Sequence, residues 1–81
     1  MLPNIKKLIV LADAARHDET LIPNHISGGV PRRLREEKQT ILEVLEALKG
    51  RKDEEVFMAE MRHDLEEITE ALWVYDVYDD E

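Results

Sequence analysis

Cysteine is absent from the 81 residues. Disulfides, thiolate metal sites and cysteine nucleophiles are therefore excluded. Three glycines and three prolines leave few turns, which argues against a fold of many short strands. Aromatic residues are scarce: Phe57, Trp73, Tyr75 and Tyr78. The longest apolar run, Leu8 to Ala12, falls far short of the roughly 20 residues of a membrane span. Lys6 and Lys7 precede too short an apolar stretch for a signal peptide. These absences lead to the expectation of a soluble, cytoplasmic protein with no membrane partner.

Positive charge is also scarce, and unevenly so. Residues 1–52 carry a net +3, whereas residues 53–81 carry −11 with Arg62 as the one basic residue, giving −8 overall. Such a field repels nucleic acid and attracts basic protein surfaces. The apolar fraction, 43%, is that of a globular chain. A single small domain is expected, and at this length it buries only about 60% of its extended surface.

Three helical segments are predicted. The first spans about 4–17, capped by Asn4, with Ile5, Leu8, Ile9, Ala12 and Ala15 on one face. Residues 18–30 lose periodicity around Pro23, Gly28 and Gly29 and read as a long loop pinned by Leu21, Ile22 and Ile26. The second helix spans about 31–49, with Pro31 in its first turn and Gly50 closing it. Leu34, Ile41, Val44, Leu45 and Leu48 form its apolar face. The third spans about 53–78, capped by Asp53. Its Met58, Met61, Leu65, Ile68, Leu72 and Tyr75 step by three and four residues, the spacing of a coiled-coil seam. The short link at 50–52 predicts an all-α fold: an antiparallel hairpin of helices two and three, with the shorter N-terminal helix packed across it. That hairpin would bring Arg32, Arg33 and Arg35 near Asp76, Asp79, Asp80 and Glu81.

Two surfaces of the third helix are the candidate binding sites. Glu60, Asp64 and Glu67, with Glu70 beside them, form an acidic stripe, and the first three are expected to be exposed. Like charges at such spacing oppose one another, and the stripe reads either as an ordinary solvated helix face or as a surface that engages a basic protein patch. Trp73, Val77 and Tyr78 make the end of the helix apolar beyond its seam. Either helix one covers this patch, or it serves a partner or a second copy of the chain, since Trp and Tyr are preferred interface anchors.

Catalytic patterns are thin. Ser27, Thr20, Thr40 and Thr69 lie in no nucleophile motif, and Ser27-Gly28-Gly29 has no following P-loop lysine. Glu60-Met61-Arg62-His63 has the Glu-x-x-His spacing of carboxylate-bridged di-iron bundles, but those need two such motifs and only one is present. Glu43-Val44-Leu45-Glu46 and Glu66-Glu67-Ile68-Thr69-Glu70 resemble the paired acidic motifs of the all-α nucleotide pyrophosphatases of the MazG type. The resemblance covers about half the chain. It implies that Glu43, Glu46, Glu67 and Glu70 would hold Mg²⁺ and a nucleoside triphosphate. The sequence departs from the family where Glu70 replaces an aspartate, and it lacks the following basic helix. The leading expectation is a non-enzymatic interaction module, an adaptor or inhibitor, with no metal or cofactor. The pyrophosphatase is the alternative.

Overall fold

The computed structural model describes residues 3–76. Four α-helices occupy nearly all of them: α1 (Pro3–His17), α2 (Ile22–Ser27), α3 (Val30–Ala47) and α4 (Glu55–Asp76). Two 3₁₀ turns, Glu19–Leu21 and Lys52–Glu54, complete the described chain, which contains no strand. The fold is all-α. No helix among the described residues is long and apolar enough to cross a membrane. The principal extents are 45 × 23 × 17 Å.

Helix α1 begins with Pro3, whose fixed φ suits the first helical position. Asn4 therefore lies inside the first turn and is not the cap expected of it. The apolar face of α1 is buried at Ile5, Leu8, Ala12 and Ala15.

The segment 18–30, expected to be a loop, is mostly helical. Asp18 accepts a hydrogen bond from the Thr20 amide at 3.1 Å and starts the 3₁₀ turn. Pro23 in the first turn of α2 then favours continuation, and Ile22 is buried, with Leu21 and Ile26 partly so. A six-residue helix is too short for periodicity to reveal. Gly29 adopts a left-handed conformation, φ +79°, at the α2–α3 corner.

Pro31 sits in the first turn of α3 and is buried together with Val30, Leu34 and Ile41. The helix closes at Ala47, where the Leu48 amide donates to the Val44 carbonyl at 3.0 Å. Gly50, φ +83°, then turns the chain. Asp53 does not cap α4. It lies in the second 3₁₀ turn, where its carboxylate accepts from Arg51 at 3.2 Å.

Helix α4 lies against both α3 and α1, and α2 lies against α3. Two neighbours give α4 a broad buried sector in place of a single stripe. Met58, Met61, Ile68, Leu72 and Tyr75 are buried as the spacing predicts, but Leu65 is only partly buried. Ala71 and Asp64 are buried as well. Met61, Asp64, Ile68, Ala71 and Tyr75 also step by three and four residues, so the helix is turned toward this second register.

Candidate functional site

The acidic stripe expected on α4 divides once the helix is packed. Glu60 and Glu70 are exposed. Glu67 is half-buried, its Oε1 3.7 Å from Nε2 of His63 one turn earlier. Asp64 corrects the expectation outright: it is 2% exposed, and its Oδ2 has no hydrogen-bond partner. The reason is helix rotation. Asp64 shares a face with Met61 and Ile68, and that face of α4 is buried.

The stripe also follows α1 more closely than a solvated face would. Glu67 and Glu70 line a small cavity of about 50 Å³ with Ile9, Ala12, Asp13 and Arg16 of α1. Arg16 donates from its guanidinium to the backbone carbonyl of Glu70 at 3.1 Å and lies 4.0 Å from Asp13 Oδ1. One turn further along, Trp73 stands 73% exposed. A shallow concavity beside it is formed by Arg16, Glu70 and Val74. Helix α1 therefore leaves the indole uncovered, while Val74 packs partly against the core. Val77 and Tyr78, the rest of the expected aromatic patch, lie outside the described residues, as do Asp79, Asp80 and Glu81. Arg32 lies 3.7 Å from Glu36 on its own helix.

One polar pair had no signal in the sequence. His25 Nδ1 and Tyr75 OH are joined by a 2.7 Å hydrogen bond, with rings tilted at 57° and centroids 5.9 Å apart. Tyr75 is fully buried, and loss of solvation pushes its phenol up to about 12. The pair ties α2 to the end of α4. His25 belongs to a stretch without readable period, so nothing in the spacing links it to a residue fifty positions later.

Glu43 and Glu46 are exposed on α3. Among the described residues no three His, Asp or Glu side chains are placed to hold a metal ion. The four glutamates that resemble the pyrophosphatase motifs are therefore not gathered into an Mg²⁺ site by this packing. No protein-family model, curated protein or solved structure matches the chain.

Proposed function

We propose that the chain is a non-catalytic protein–protein interaction module, an adaptor or inhibitor that docks on a basic surface of a larger protein. In this reading α3 and α4 form an antiparallel hairpin with α1 laid across it, and α4 presents the contact surface. The observation that carries the proposal is Trp73. A 73% exposed indole is a large apolar group left in water, and here it stands beside Glu70 and Arg16. Indoles buried on binding are frequent energetic anchors, and carboxylates around them steer cationic partners. Glu60, Glu67 and Glu70 supply that charge on the same helix, with Val77 and Tyr78 following in sequence.

The test compares capture of partners from a cell extract by the wild type and Trp73→Ala, with circular dichroism confirming that both are folded. Capture should fall several-fold in the variant and should weaken with salt. Equal capture would remove Trp73 from the interface. Pyrophosphate release from nucleoside triphosphates and Mg²⁺ by the purified chain would overturn the non-catalytic reading. Sedimentation at micromolar concentration addresses a homodimer: a concentration-dependent mass that Trp73→Ala abolishes would make a second copy the occupant.

A further inference from the structure

The core-facing side of α4 is not covered along its whole length. Phe57 lies eighteen residues before Tyr75, five full helical turns, and therefore on the same side of the helix. Tyr75 is fully buried, whereas Phe57 is 41% exposed. The difference follows from where α1 begins. Ile9 lines one small cavity with Glu67, and Arg16 reaches Glu70 and Val74, so α1 and α4 advance in the same direction. Both rise about 1.5 Å per residue, which puts Pro3 level with about residue 61 and one turn short of Phe57. Helix α3 shows the same edge. Glu37 lines the groove between α3 and α1 with Lys7 and Leu8. Val44 and Leu48, about two and three turns further along that side, are only partly buried. Past the start of α1, Val44, Leu48, Val56 and Phe57 edge an apolar groove that no other described helix covers.

We propose that a second copy of the chain fills this groove, the two hairpin tips pairing about a two-fold axis into a four-helix arrangement. The proposal uses the hairpin of the preceding reading but neither its partner nor Trp73. The amount of surface fits a second copy. The chain exposes 5847 Å², whereas a compact monomer of its mass exposes about 5,050 Å². The surplus of about 800 Å² matches what each partner contributes to a standard protein interface. Charge selects the same occupant. Two-fold pairing sets the turn of one copy beside the stretch of α4 that borders the other copy's groove. The turn carries Lys49, Arg51 and Lys52, and that stretch carries Glu60; Lys52 and Glu60 are both exposed. Each copy then supplies a cation for the other's carboxylate, and the contact occurs twice by symmetry. Such a dimer keeps Trp73 clear of the joint and presents two indoles, so a partner with repeated sites is held by avidity.

Sedimentation equilibrium of the full chain across the micromolar range tests this, with circular dichroism confirming that each variant is folded. The mass should rise with concentration toward that of two chains. Phe57→Asp should weaken the dimer about tenfold or more, the scale of a buried interface anchor. Val56→Asp, at a 77% exposed site outside the core, should weaken it as well and serves if Phe57→Asp fails to fold. Trp73→Ala should leave the mass unchanged. Lys52→Glu and Glu60→Lys should each weaken self-association, and mixing these two variants should restore it, because both contacts then join opposite charges again. A wild type that stays monomeric, a dimer that Trp73→Ala abolishes, one that tolerates the aspartate at either position, or a mixture no tighter than its components would each overturn the proposal. Capture of a partner by Phe57→Asp should persist, so failure of this joint and failure of the Trp73 surface are distinguishable.

Discussion

Asp64 and Tyr75 are both enclosed along α4, and the fold treats their polar tips in opposite ways. Asp64 Oδ2 is left without a donor, whereas the Tyr75 hydroxyl is matched by His25 at 2.7 Å. Removing that hydroxyl in Tyr75→Phe should cost about 1 kcal/mol, the net worth of one neutral hydrogen bond. The cost should also depend on pH in a defined direction. The buried phenol keeps its proton to about 12, whereas in the unfolded chain it loses it near 10.0. Between those values the unfolded state binds fewer protons, so the tyrosine's contribution is complete below 10 and declines as pH rises toward 12. Urea midpoints of the wild type and Tyr75→Phe should therefore converge as pH rises above 10 and cross before it reaches 12. A constant gap would mean that the phenol is as solvated in the fold as outside it.

Helix α4 shows how an element with a clear period can still be oriented by its neighbours. Ile68 lies on both possible seams and is 0% exposed; Leu65 lies on only one and is partly buried. Truncating Ile68 to alanine should destabilise the fold by about 2–5 kcal/mol, because the cavity it leaves is enclosed. Leu65→Ala should cost clearly less, and Glu66→Ala, at an exposed site, should stay within about 0.5 kcal/mol of the wild type. Denaturant titration of the three variants checks the rotation directly. A larger loss from Leu65 than from Ile68 would place the helix in the register that the spacing first indicates. The spacing was sufficient to mark α4 as helical and to name most of its buried residues. It was not sufficient to choose between two registers one residue apart, since Met61, Ile68 and Tyr75 belong to both.

At the scale of the whole molecule, charge is the dominant unbalanced quantity. The net charge is −8, and among the described residues the ion pairs Arg16–Asp13, Arg32–Glu36 and Arg51–Asp53 are examples that join residues only two to four positions apart. All three pairs are exposed, so each contributes only a few tenths of a kcal/mol, roughly. Repulsion among the excess carboxylates should outweigh them. Raising sodium chloride from about 0.01 to 0.15 M shortens the Debye length from about 30 to 8 Å and screens that repulsion. The melting temperature should rise by about 2–4 °C, which corresponds to roughly half a kcal/mol for a domain of this size. A fall on adding salt would show that attraction between opposite charges, not repulsion, dominates the folded state. The elongated outline leaves Val56, Phe57, Leu42 and Trp73 substantially exposed along the molecule, consistent with the small core available to so short a chain.

Helix content, the apolar faces of α1 and α3, and the glycine at the turn before α4 follow from local chemistry. Backbone hydrogen bonding has a fixed period, and Pro and Gly restrict or relax φ wherever they stand. Those constraints act within a few residues and are written in the order of the chain. The burial of Asp64, the exposure of Trp73, the helix within residues 22–27 and the His25–Tyr75 bond have another origin. Each depends on which helices lie against one another and at what rotation. Asp64 is enclosed because α4 is turned so that the side bearing Met61 and Ile68 faces the core, and Trp73 is bare because α1 passes beside it without covering it. Such outcomes are set by competition among several apolar faces for a small shared core, and that competition has no counterpart in the spacing of residues along one helix.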